Sequence, residues 1–286
     1  MSLLDEVLRR GESTEPGFDD ETVEAWRART AAHMTGDKPS WPGAPVDLDD
    51  AQARRRVAAF ELRLREIDTR LRSEYGLPSH HNVADPMAEL LLIILSRKTP
   101  ERAYLAAFER LLGAVDSWAD ISRMNDDTLL EMVEDGGLGG KKVDAIRDML
   151  ARVLDRFEGY SLEQLEGLDD SEVRAFLSSI QEVGPKSALC VMMYAMGRAA
   201  FPVDAHVGRT LMRTGVFDLL GLDLSTMDHK QKQRYMADLA PPDLRYSLHV
   251  TCLSLGRDVC PARTPRCGEC VLATTCETGL TQQLDR

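Results

Sequence analysis

"EVGPKSALCVMMYAMGRAAFPVDAHVGR" occupies residues 182–209. Its middle, Ser187–Met196, is almost wholly apolar, and a helix apolar on every side is a buried central helix. Pro185 suits the first helical position, where its missing N–H has no partner anyway. Gly184 can supply a tight turn into the helix. Lys186 then falls in the first turn of a buried helix. The partial positive charge of a helix N-terminus and burial both disfavour an ammonium there and favour a neutral, nucleophilic amine. The competing reading is an ordinary lysine that reaches to solvent. The open N–H groups of the same turn offer a place for a phosphate. Asp204 precedes a second helical pattern. It suits a helix N-cap, or a carboxylate aimed at a cleft opposite Lys186, and one residue can serve both roles.

Outward from this stretch the pattern stays helical. Phe60, Leu64, Ile67 and Leu71 recur on one helical face, and GLPSH at 76–80 breaks that helix. PMAELLLIILS, PERAYLAAFERLLG, DDTLLEMVED, KKVDAIRDMLARVLDRF, SLEQLEGL and DSEVRAFLSSI follow, with Asp126, Ser161 and Ser171 as N-caps. Neither an alternating strand nor a 20–50-residue repeat is evident, so the fold class is all-α. The 286 residues suffice for two domains. Residues 1–50 read as an acidic N-terminal extension, either a mobile tail or a packed flap: one helix near Asp20–Met34, then the Pro/Gly-rich linker KPSWPGAPVD. The start lacks a signal-peptide core, and no uncharged apolar run approaches ~18 residues, so a cytoplasmic, reducing setting without a membrane span is expected.

The net charge of −12 argues against indiscriminate nucleic-acid binding, but it is uneven. Residues 1–25 hold eight acids against Arg9 and Arg10, a net of −6. Residues 181–215 hold Lys186, Arg198, Arg209 and Arg213 against Glu182 and Asp204, a net of +2. A DNA-binding face is therefore compatible with the acidic total.

"CPARTPRCGECVLATTC" at 260–276 sets Cys260, Cys267, Cys270 and Cys276 six, two and five residues apart. A reducing compartment disfavours disulfides. Four thiolates on one short loop suit an iron–sulfur cluster or a zinc ion, and spacing alone leaves both open. Cys190 and Cys252 lie in apolar stretches, as inert core cysteines do.

Gly184-x-Lys186-Ser187-Ala188, Val203-Asp204-Ala205-His206 and the Cys-x6-Cys-x2-Cys-x5-Cys tail together resemble the endonuclease III branch of the helix-hairpin-helix DNA glycosylases. The resemblance covers roughly residues 51–280 and includes LHVTCLSLGRDVC at 248–260. Lys186-Ser187, Cys190-Val191 and AFPVDAHVGR are also similar to the plant DEMETER-like glycosylases. The resemblance implies two all-α lobes with DNA in the cleft between them. One is a six-helix barrel with the helix-hairpin-helix motif at 86–198. The other joins 51–85 to 199–286 and carries a 4Fe–4S cluster on Cys260, Cys267, Cys270 and Cys276. It implies a monomer acting in the cytoplasm at the nucleoid, on double-stranded DNA with a damaged base or an abasic site. Val183 and Gly184 would grip the DNA backbone through their amides. Arg263 and Arg266 would meet phosphates, with Lys98 and His206 also at the DNA. Lys186 would attack the sugar of a flipped, damaged or modified pyrimidine, and Asp204 would assist it. The outcome would be base excision with AP lyase cleavage through a Schiff base.

Three departures accompany the resemblance. Ile180-Gln181-Glu182-Val183-Gly184 stands where the family reads L-P-G-x-G, so Glu182 replaces a glycine. Ser96-Arg97-Lys98 stands where endonuclease III carries S-A-Q. The acidic extension has no counterpart in the minimal family. A rival with the same fold is a DNA-binding or redox-sensing iron–sulfur protein without turnover.

Overall fold

The structure, a computed structural model, describes residues 2–12, 14–15, 20–35, 48–134, 138–222, 224 and 227–284. The α-helices among them are α1 (Leu3–Arg10), α2 (Asp20–Ala32), α3 (Asp50–Tyr75), α4 (Pro86–Ser96), α5 (Glu101–Gly113), α6 (Trp118–Arg123) and α7 (Asp126–Val133). They continue as α8 (Gly139–Phe157), α9 (Asp170–Ser179), α10 (Pro185–Tyr194), α11 (Ala205–Arg213), α12 (His229–Leu239), α13 (Arg245–Arg257) and α14 (Glu277–Leu284). Two isolated bridges are the β-type pairing among the described residues, so the fold is all-α. No described helix is long and apolar enough to cross a membrane.

The chain forms two compact units. The first comprises residues 1–14 and 79–198, the second residues 15–78 and 199–286. The expected linker at 38–47 lies outside the described residues.

In the first unit α4 is the central element, packed against α5, α8 and α10. It starts at Pro86 behind Asp85, whose side chain accepts from Ala88 N at 2.9 Å. Leu90, Leu91, Ile94 and Leu95 are fully buried along it. The caps fall slightly upstream of the expected ones. Asn125, not Asp126, accepts from Thr128 N, and Asp169, not Ser171, accepts from Ser171 N and Glu172 N. In each case the extended residue just before the helix can turn its oxygen back to the open amides, which a residue already inside the helix cannot. Ser161 instead accepts from Glu163 N at the 3₁₀ turn Glu163–Gly167.

The acidic extension is not one separate piece. α1 belongs to the first unit: Leu3 and Val7 are buried, Leu3 N donates to Val115 O at 2.8 Å, and Arg10 pairs with Asp85 at 3.2 Å. α2 belongs to the second unit, where it packs on α3 and buries Val23, Trp26 and Met34. Apolar residues at helical spacing inside an acidic stretch give each helix one face to bury, which net charge does not report.

The second unit is built on α3. Asp49 and Gln52 form a capping box at its start. Ala53, Val57, Phe60, Leu64, Ile67 and Leu71 form its buried stripe. Gly76 ends it with φ +65°, the left-handed conformation that glycine adopts without a Cβ clash. Glu61 is buried on the same helix and accepts from Arg27 of α2 at 2.8 and 2.9 Å, and from Arg65. The Arg27 hydrogen bonds in particular hold the Glu61 carboxyl below its ordinary range.

Trp26 has no exposed surface. Trp26→Ala is therefore expected to lower stability by about 3–5 kcal/mol in denaturant unfolding. A loss below about 1 kcal/mol would show that α2 is not docked.

Candidate functional site

The hairpin turn between α9 and α10 runs through Ile180, Gln181, Glu182, Val183 and Gly184. Its left-handed residue is Glu182, at φ +66°, whereas Gly184 has φ −84° and room for a Cβ. The turn thus needs a special backbone at 182 rather than at the expected Gly184. A non-glycine residue there carries a steric penalty of about 1–2 kcal/mol. An ion pair with Arg97 accompanies that strained residue and neutralises the charge of Glu182. The Val183 amide, expected to grip DNA, donates to Ile180 O at 3.0 Å, and its side chain is buried. Closing the turn uses the N–H that a phosphate would need. Gly184 is exposed and serves as the N-cap of α10.

Lys186 follows Pro185 in the first turn of α10 and is half-buried. Beyond it Ala188, Cys190, Val191, Met192, Met193 and Tyr194 are buried. Arg97 and Lys98 stand in the loop after α4, with Lys98 exposed at φ +50°. Thr99 steadies that loop by donating to Arg97 O at 2.9 Å and accepting from Lys142 Nζ at 2.8 Å.

The first unit also holds a charge-bearing group that periodicity conceals. Glu89 of α4 has no exposed surface. Its Oε2 accepts from Val83 N at 2.9 Å, and its Oε1 has no hydrogen-bond partner. Burial pushes its carboxyl up to about 8, against the opposing effects of the Val83 amide and the Lys186 charge. The trace in sequence is one acid inside the apolar run PMAELLLIILS, at a position where helical spacing faces it inward.

In the second unit Asp204 caps α11, its Oδ1 accepting from His206 N and Val207 N at 2.8 Å each. The other carboxylate oxygen has no part in those two bonds. His206, expected at DNA, sits against Gly256 of α13: a Cβ on Gly256 would come within 2.7 Å of His206 Cβ. Its Nδ1 lies 3.1 Å from Arg209 Nη2. Gly256 permits the close crossing of α11 and α13 that commits the histidine ring to this packing.

The cationic segment at 181–215 is engaged internally. Arg198 bonds Asp170 and the carbonyls of Leu165, Glu166 and Leu168. Arg209 donates to Cys260 O and Gly256 O. Arg213 donates to Cys260 Sγ at 3.1 Å, Pro261 O at 2.8 Å and Ala262 O at 2.7 Å. These two arginines anchor the cysteine loop to α11.

Cys260, Cys267, Cys270 and Cys276 line a single apolar-walled hollow, and none forms a disulfide. Leu272 N donates to Cys270 Sγ at 3.4 Å, and Cys276 Sγ donates to Arg213 O at 3.0 Å. Burial first, then the neighbouring cysteines, pushes the Cys270 and Cys276 thiols up. Thiols crowded this way ionise together only with a compensating cation. As placed, no group of three or more His, Cys, Asp or Glu side chains among the described residues is set to hold a metal ion. Arg266 pairs with Glu269 at 3.0 Å and Asp258 at 3.1 Å, and both Arg266 and Arg263 are exposed. Cys252 is buried and its thiol is pushed up to about 12, as suits an unreactive core cysteine.

No protein-family model matches the chain. Endonuclease III of Sulfolobus acidocaldarius is 25% identical over 222 residues, covering 74% of this chain and 94% of that protein. An endonuclease III bound non-covalently to DNA shares the fold, with a TM-score of 0.64 at 21% identity over 78% of this chain and 98% of the other. The chain is similar to endonuclease III in sequence and shares its fold. Plant proteins also match. A candidate DNA glycosylase of Arabidopsis thaliana is 29% identical over 168 residues, 59% of this chain. DEMETER of the same plant is 28% identical over 181 residues, also 59% of this chain. The chain spans 55% of the length of the first and 9% of the second.

Glu89 sets a pH signature for this chain. Its folded proton affinity is raised above the unfolded value of 4.5, so protonation favours the folded state. The stability linked to it is complete below pH ~4.5 and is lost as pH rises through ~8. Between pH 5 and 9 the unfolding free energy should fall by about 2 kcal/mol or more further in the natural protein than in Glu89→Gln, since each tenfold change in proton affinity is worth ~1.4 kcal/mol. Parallel pH profiles for the two proteins would contradict the burial of an ionisable acid at 89.

Proposed function

We propose that the chain excises a damaged or modified pyrimidine from double-stranded DNA and nicks the strand at the resulting abasic site. The observation that carries this reading is Lys186, half-buried at the entry of an otherwise apolar helix and directly after the hairpin turn. Likeness to endonuclease III, in sequence and in fold, supports it.

The target sugar carbon is unreachable inside the duplex, so the nucleotide is flipped out first. The Nζ lone pair of Lys186 bonds to C1′ while the C1′–base bond breaks. Its electron pair leaves with the base, which takes up a proton. Loss of a proton from Nζ and opening of the sugar ring give the Schiff base. Removal of a C2′ proton then expels the 3′ oxygen with its phosphate by β-elimination. Asp204 bonds the α11 amides through Oδ1 and thereby keeps its carboxylate oriented. That carboxylate balances positive charge developing on the sugar. Exposed Lys98 and Arg263 are suited to phosphate contact.

Cys260, Cys267, Cys270 and Cys276 would hold a 4Fe–4S cluster, which supplies redox capacity and cross-links the loop. Their shared hollow and the Arg213 bond to Cys260 Sγ fit such a group. A protein without turnover is less supported, because the Glu182 charge that would repel DNA is paired with Arg97.

Borohydride should trap a covalent complex between the protein and duplex DNA bearing an abasic site. Lys186→Ala should abolish trapping, and Asp204→Asn should slow turnover at least ~100-fold while binding changes little. Binding without any trapping would overturn the enzymatic reading. The purified protein should be brown and contain iron and acid-labile sulfide. Colourless protein with one zinc would remove the cluster.

A further inference from the structure

The hairpin turn before α10 keeps an acid in an unusual place. Glu182 has φ +66°, in the left-handed region that glycine adopts freely. Its carboxylate is paired with the guanidinium of Arg97, which comes from the loop after α4 in the same unit. Neither side chain is sealed in: Arg97 is 36% exposed and Glu182 is 23% exposed. An ion pair open to water adds little to stability. An acidic side chain retained on a strained backbone, where glycine would relax the turn, is the mark of a side chain in use.

The loop that carries Arg97 does not depend on this pair for its position. Thr99 donates to Arg97 O at 2.9 Å and accepts from the buried Lys142 at 2.8 Å. Within the turn, two amides are already engaged. Gln181 N donates to Asp148 Oδ2 at 2.7 Å, and Val183 N donates to Ile180 O at 3.0 Å. The guanidinium that reaches the turn is therefore well suited to receive a backbone anion. Carboxylate and phosphate are bound by the same planar fork of N–H donors. Glu182 thus occupies on Arg97 the donors that a phosphate would take.

We infer that Glu182 is an internal stand-in for a DNA phosphate: it holds the Arg97 guanidinium in the free protein and yields it to the DNA backbone on binding. The inference rests on the proposed attack of Lys186 on a DNA sugar and deepens it. Lys186 lies in the first turn of α10, just after the turn that carries Glu182. A sugar that meets Lys186 has a phosphate on either side, so backbone charge arrives next to this turn. Arg97 then exchanges one anion for another. What it gains on DNA is offset by what it loses at Glu182. Binding to ordinary duplex is weakened, and tight binding is left to sites where further contacts form.

The test reads binding apart from chemistry. Affinity of the full-length protein for a short undamaged duplex is measured by fluorescence anisotropy between ~50 and ~200 mM salt. Glu182→Gln should tighten binding at least ~3-fold, the scale of a part-exposed ion pair. It should also steepen the slope of log affinity against log salt by about one. Arg97→Gln should weaken binding. In the Arg97→Gln background the gain from Glu182→Gln should shrink, because no guanidinium remains to be released. Glu182→Gly, which suits φ +66°, should act as Glu182→Gln does and serves if the glutamine variant does not fold. Glu109→Gln, which removes an equal charge from the exposed side of α5, should change affinity less than ~2-fold. Unchanged or weaker binding by Glu182→Gln would overturn the inference. So would a gain as large without Arg97, which would mean that Glu182 only repels DNA. Borohydride trapping on abasic duplex is run in parallel. The expected binding pattern without trapping would leave the exchange standing and remove the proposed reaction. Trapping without the pattern would do the reverse.

Discussion

The first unit depends on the burial of α10 beside α4. Both helices present hydrocarbon along most of their length. Packing of that kind has low tolerance for charge, so polar groups gather at the helix entries, where amides are open. Lys186 stands at one such entry. Glu182 and Arg97 neutralise each other next to it, and Lys142 finds Thr99. Glu89 is the departure from this rule: it lies inside the hydrocarbon, with one oxygen bonded and the other not.

The second unit shows the same economy with arginine. A guanidinium has five donors in a fixed fork and can serve several carbonyls at once. Arg213 reaches the sulfur of Cys260 and two carbonyls of the loop, and Arg209 joins the loop to α13. The loop around the four cysteines has little regular structure of its own, so these bonds define its path. Arg209 and Arg213, two of the basic residues that suggest a DNA-facing surface in the sequence, support the loop. That division of labour leaves Lys98 and Arg263 as exposed cations outside it.

Legibility differed by feature. The buried stripe of α3, the span of α4 and the apolar character of α10 follow from spacing, because a helix repeats every 3.6 residues whatever surrounds it. The N-cap role of Asp204 and the half-burial of Lys186 are also visible in local pattern. The docking of α1 and α2 stayed undecided between a mobile tail and a packed flap, because the acidic charge of residues 1–25 masks Leu3, Val7, Val23 and Trp26. Nor was the fate of Val183, whose amide is used within its own turn, or of His206, fixed by the absence of a side chain at Gly256.

Sequence by itself determined the helical class, the cysteine spacing, the likeness to endonuclease III and the presence of a lysine at the start of an oily helix. These are local properties, set by backbone periodicity and by residue type. Tertiary structure alone decided that Arg97 answers Glu182 and that the arginines of α11 bind the cysteine loop. Each of those pairs is distant in the chain, and the energy of a charge depends on what surrounds it in space, which no spacing along the chain encodes.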